Sequence, residues 1–131
     1  MIECLILGDS IASGISNVRR ECTAIVKVGI NSVSFVNHNP GPHEAQTVII
    51  SLGSNDVGVR TRESLELLRS KTVANKVFWI IPNVHPEVKN IVRDIAVRNG
   101  DSLIDMKDSF MSPDKVHPTR SGYISLSNST K

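Results

Sequence analysis

The stretch "IECLILGDSIASG", residues 2–14, sets an apolar run directly against Gly8, Asp9 and Ser10. Continuous rather than alternating apolarity reads as a strand covered on both faces, as in a parallel sheet. Glycine and aspartate suffice to end such a strand in a turn. A serine at that point could be a turn or helix-cap residue, or it could be a nucleophile. A nucleophile needs a base, a group to orient the base, and donors for an oxyanion. The question is whether the rest of the chain supplies them.

Four further runs repeat the pattern: "TAIVKVG" at 23–29, "TVIISLG" at 47–53, "KVFWIIP" at 76–82 and "SLIDM" at 102–106. Helical candidates lie between them. In 86–98, Val88, Ile91, Val92, Ile95 and Ala96 share one face, with Pro86 in the first turn and Asn99-Gly100 at the end. Residues 61–74 place Leu65, Leu68 and Thr72 or Val73 inward, and shorter candidates span 11–20 and 31–39. The tail "TRSGYISLSNSTK" can open a last helix against the low helix preference of its serines. Strand alternating with helix predicts one α/β domain over 1–131, a three-layer α/β/α flavodoxin-like arrangement with a five-stranded parallel sheet ordered 2-1-3-4-5. Ligands then bind beyond the carboxyl ends of the strands, where the strand order reverses.

Composition narrows the function classes. The 131 residues are 40% hydrophobic and 21% charged, ordinary for a globular domain with one core. One Trp, one Tyr and three Phe provide poorly for stacking on single-stranded nucleic acid. A formal charge of +2 points to neither a nucleic-acid nor a membrane partner. The pairs Arg19-Arg20 and Arg60/Arg62 read as solvated faces. Cys4 and Cys22 lack CxxC spacing, and Cys4 lies in an apolar run, so a disulfide framework and a zinc site are not expected. The start "MIECLILGDS" has no basic n-region and too short an apolar run for a signal peptide or membrane span. A cytoplasmic location is the default expectation, with release or virion association by another route left open.

Each of the first three runs is followed by residues suited to a site: Gly8-Asp9-Ser10, Gly29-Ile30-Asn31 and Gly53-Ser54-Asn55-Asp56. In the order 2-1-3-4-5, Ser10 is flanked by the Gly29 backbone on one side and Asn55 on the other, a layout with N–H donors around one nucleophile. The base comes from "SPDKVHPTRSGY", where Asp114 and His117 stand three residues apart in a loop after the fifth run. A neighbouring imidazole activates a serine, and a carboxylate holds that imidazole in the right tautomer. Asp56 reads as structural, bonding local backbone N–H groups. His85 reads as a helix-entry residue. His38 and His43, beside Glu44, match no standard metal spacing and read as parts of a solvated loop.

The series "GDSIASG", Gly29, "GSND" and "DKVHPT" resembles the four sequence blocks of the SGNH, or GDSL-type, esterases and lipases, in the same order. The resemblance implies Ser10 as nucleophile, His117 as general base and then acid, and Asp114 as the orienting carboxylate. It implies an oxyanion hole of the Ser10 and Gly29 backbone N–H groups and the Asn55 side-chain amide, with no metal or cofactor. One departure is Lys27, where the family often has an asparagine two residues before the second-block glycine. With only about 17 residues between Gly29 and the third run, no lid can be built. The expected activity is a serine esterase acting on short-chain, chiefly acetyl, esters in an open cleft, with a small-molecule or glycan ester as partner. Two alternatives are a phage or bacterial cell-wall or surface-polysaccharide hydrolase using the same site, and a non-catalytic binding or assembly module that keeps the fold.

Overall fold

In the computed structural model, which describes residues 1–106 and 111–131, each apolar run lies on a strand of one parallel sheet. The strands are β1 (Ile2–Gly8), β2 (Thr23–Val26), β3 (His43–Ser51), β4 (Thr72–Ile81) and β5 (Ser102–Asp105), in the order β2-β1-β3-β4-β5. The helices are α1 (Ser10–Val18), α2 (Ser32–His38), α3 (Thr61–Ser70), α4 (Pro86–Arg98) and α5 (Arg120–Ser129). The α/β class and the strand order are those expected, and α4 has the expected bounds.

The continuous apolarity of the strands has a direct cause, because both faces of the sheet are covered. Leu5, Leu7, Val48, Ile50, Val77 and Trp79 join Phe35, Leu65, Leu68, Val92 and Ile95 of α2, α3 and α4 in one core. Ile6, Ile49, Phe78 and Ile80 point the other way and meet Ile11, Ala12 and Ile15 of α1 and Leu126 of α5. Successive residues of a strand face opposite sides, so each strand feeds both cores. At the C-terminal end of β1, Gly8 has φ +145, and a Cβ there would lie 1.9 Å from the Ser51 carbonyl oxygen. Only glycine brings β1 and β3 so close at the point where the chain turns into α1.

Strands β3 and β4 begin four residues earlier than their apolar runs. The first is marked by alternation, with His43 and Ala45 buried and Glu44 and Gln46 exposed. His43 pairs with Thr72, and its N–H donates to the Lys71 carbonyl, so Thr72 and Val73 belong to β4 and not to the preceding helix. His43 is therefore not part of a solvated loop. It is buried, its Nε2–H donates to the Asn39 carbonyl, and its ring lies near Phe35. His38 is exposed and bonds the Ser34 carbonyl one turn back in α2.

Cys4 and Cys22 form a disulfide, contrary to the reading of Cys4 as a small free hydrophobe. The reason is register, not sequence spacing. Leu5 pairs with Thr23 in the parallel β1–β2 ladder, so the residues one step back, Cys4 and Cys22, lie side by side. Among the described residues no helix is long and apolar enough to cross a membrane.

Candidate active site

The carboxyl ends of β1, β2 and β3 and the loop before α5 converge at Ser10. Asp9 caps α1, its Oδ1 accepting the Ile11 N–H at 3.0 Å. Ser10 is therefore the first residue of the helix, half-buried, with its hydroxyl free for another task. Its backbone N–H is one of the donors that a helix start leaves without an intrahelical acceptor.

The Ser10 hydroxyl lies 2.8 Å from His117 Nε2, and His117 Nδ1 lies 2.8 Å from Asp114 Oδ2. An ionised carboxylate only accepts, so Nδ1 carries the proton and Nε2 receives the serine O–H. The loop that holds His117 is closed on itself. Met111 and Pro118 form an antiparallel bridge, and the Ser112 N–H donates to the His117 carbonyl at 2.8 Å. Asp114 Oδ1 accepts from the Ser112 hydroxyl and from the N–H groups of Val116 and His117. The bond to the His117 ring, then the backbone N–H groups and the Ser112 hydroxyl, hold the Asp114 carboxyl well below the usual carboxylate range. It stays ionised wherever an imidazole can be neutral.

The predicted donors divide. Lys27–Ile30 form a turn closed by the Ile30 N–H on the Lys27 carbonyl, with Gly29 exposed at φ +82. A Cβ at Gly29 would meet nothing, so backbone conformation is what calls for glycine there. The turn follows the point where the Lys27 N–H bonds the Gly8 carbonyl, which sets it next to the start of α1. Asn55 Nδ2 donates one hydrogen to the Ile30 carbonyl at 3.0 Å, leaving the second amide hydrogen for a ligand. Asn55 thereby ties its own loop to the Gly29 turn. Asp56 is structural, but its partners are not local: Oδ1 accepts the Ser32 N–H of α2 and Oδ2 the Thr61 hydroxyl of α3. His85 stands exposed at the entry to α4.

Two participants were not legible in the sequence. Asn83, after β4, donates to the carbonyl of Lys115, which sits at φ +62 between Asp114 and His117, and Lys89 Nζ bonds the Asn83 carbonyl oxygen. Nothing in "IPNVHPE" marks Asn83 as an anchor of the His117 loop. Asp9 is the other. It is fully buried, its Oδ2 has no hydrogen-bond partner among the described residues, and burial pushes its carboxyl from the ordinary 3.8 up to about 6. The folded state thus holds this proton more tightly than the unfolded one. The stabilisation contributed by the Asp9 carboxyl is full below about pH 4 and declines as pH rises through 6, by about 3 kcal/mol. Asp9→Asn, which keeps an acceptor for Ile11, should lose that decline. Urea unfolding at pH 4 and pH 8 checks this, and equal pH dependence in both proteins would remove the assignment.

No protein-family model matches the chain, and neither does any curated protein. Solved structures do. A GDSL-like lipase from Bacteroides thetaiotaomicron superposes with a TM-score of 0.62 at 17% identity, over 97% of this chain and 84% of the other. A protein from Bacteroides fragilis described as an acylhydrolase superposes with a TM-score of 0.59 at 17% identity, over 97% and 83%. The chain has the fold of the SGNH, or GDSL-type, hydrolases.

Proposed function

We propose that this protein is a serine esterase that hydrolyses short-chain esters, acetyl to butyryl, through an acyl-enzyme on Ser10. The observation that carries the reading is the continuous hydrogen-bonded line from Ser10 Oγ through His117 to Asp114. Ser10 Oγ attacks the ester carbonyl carbon while its proton passes to His117 Nε2, and the carbonyl electron pair moves onto oxygen. The oxyanion is received by the Ser10 and Gly29 N–H groups and the second Asn55 amide hydrogen. Collapse expels the alcohol, which takes the proton from His117. Water then attacks the acyl-enzyme by the same route, giving the acid and returning the proton to Ser10.

The test is p-nitrophenyl acetate turnover together with stoichiometric labelling of Ser10 by a fluorophosphonate. Absence of both would leave a binding module on the same fold. Asn55→Ala should cost about 10² to 10³ in kcat, since two backbone donors remain. Unchanged kcat would take Asn55 out of the oxyanion hole. The exposure of the His117 and Asp114 side chains, 43% and 51%, supports a leaving-group side with room for a bulky alcohol such as a glycan.

A further inference from the structure

We infer that a small cavity beside Asn55 is the acyl subsite, and that it sets an upper limit of about four carbons on the acyl chain while leaving the alcohol unrestricted. The inference rests on the serine-esterase reading. The cavity measures about 70 Å³ and is lined by Asn31, Val33, Asn55, Asp56, Val57 and Val59. Larger surface clefts, of about 290, 500 and 410 Å³, lie at the opposite end of the sheet and include none of Ser10, Asn55, Asp114 and His117.

Sidedness follows from the tetrahedral carbon. One arm is Ser10 Oγ and one is the oxyanion, directed at Asn55 and the backbone donors. The leaving oxygen must face His117 Nε2, because its proton comes from there. The acyl carbon is the fourth arm and points away from His117. His117 leads into α5, which shares with α1 the core on one face of the sheet. Asn31 and Val33 lie at the start of α2, and Val57 and Val59 in the loop leading to α3, both on the other face. The acyl arm is therefore directed toward the α2–α3 side, where the cavity lies with Asn55, the side-chain oxyanion donor, in its wall.

The lining chemistry suits a hydrocarbon. Several of its polar groups are already engaged within the protein: the Asp56 carboxylate by Ser32 and Thr61, Asn31 Oδ1 by the Ser34 N–H, and one Asn55 hydrogen by Ile30. The three valines remain, and Val57 and Val59 are 78% and 71% exposed, so they have apolar surface left to cover. Since a water-sized group in liquid occupies about 30 Å³, the cavity holds two or three carbon groups beyond the carbonyl. Each methylene brought into apolar contact is worth about fourfold in kcat/KM. Methylenes beyond Val59 reach solvent and gain nothing.

The experiment measures kcat/KM for p-nitrophenyl acetate, propionate, butyrate, hexanoate and octanoate with wild type, Val59→Phe and a Val57→Ser/Val59→Ser double variant. Val97→Phe, at an exposed position of α4 remote from the site, is the control, and thermal unfolding verifies each fold. Wild type should gain from acetate to butyrate and not beyond. Val59→Phe should lower the butyrate-to-acetate ratio by about tenfold or more, and the double serine variant should flatten the gain. With acetate fixed, exchanging p-nitrophenol for 2-naphthol should leave the ratio of Val59→Phe to wild type unaltered. An unchanged acyl-length profile in both valine variants, or an effect that follows the alcohol, overturns the subsite. If hydrolysis in that case still requires Ser10, the esterase reading stands alone; if there is neither hydrolysis nor Ser10 labelling, both fall. Should turnover be too slow to follow, rates of Ser10 labelling by p-nitrophenyl methyl- and butylphosphonates give the same ratio.

Discussion

Ser10→Ala is expected to lower kcat for p-nitrophenyl acetate by about 10⁴ to 10⁶ while leaving the thermal midpoint nearly unchanged. The separation of the two effects has a structural basis. In many helices the residue at this point would be the cap, and its loss would cost about 1 kcal/mol. Here Asp9 makes the capping bond to Ile11, and the Ser10 hydroxyl bonds His117 instead of the helix backbone. Removing one oxygen from a half-buried N1 position leaves the cap and both cores intact. Retention of more than a tenth of the turnover, with the fold unaltered, would mean that Ser10 is not the nucleophile.

His117→Ala should cost about as much as Ser10→Ala, and the double variant should be no worse than either single one. The reason is that the two groups act as a unit: a serine without its base has no proton acceptor at 2.8 Å, and the imidazole without the serine has nothing to activate. Stopped-flow or long-incubation assays of the three variants check this. A double variant far below both single ones would indicate independent roles. A protonated His117 cannot accept the serine proton, so wild-type activity should fall on the acid side. Asp114 contributes nothing to that limb, because the His117 ring and three further donors keep its carboxylate ionised there.

Much of this was legible in the sequence, for reasons that differ element by element. The runs ending on Gly8 and Gly53 marked strands buried on both faces, and the 3.6-residue spacing of Val88, Ile91, Val92 and Ile95 marked α4. Ser10, Asn55, Asp114 and His117 were readable because each follows closely on an apolar run, or stands at a fixed spacing from a neighbour. What the sequence hid depends on contacts between distant segments. The polar first halves of β3 and β4 are strands only because His43 meets Thr72. The disulfide depends on the β1–β2 register. Asp56 looked like a local turn former because its two partners, 24 residues before it and 5 after, are brought to it by the packing of α2 and α3. Asn83 is invisible for the same reason, since its acceptor lies 32 residues away.

The interior position of β1 in the sheet has a practical corollary. Ser10 and His117 are 107 residues apart, and the strand that carries Ser10 is paired on both sides, with β2 and β3. A cut in the exposed segment 40–42 would put Ser10 on one fragment and Asn55, Asp114 and His117 on the other. Neither piece could turn over an ester by itself. Because the β1–β2 unit must dock along β3 before the serine meets its base, colour release from an aryl ester would report the rejoining of the two halves. The domain would then serve as a split reporter whose signal is the re-pairing of β1 with β3.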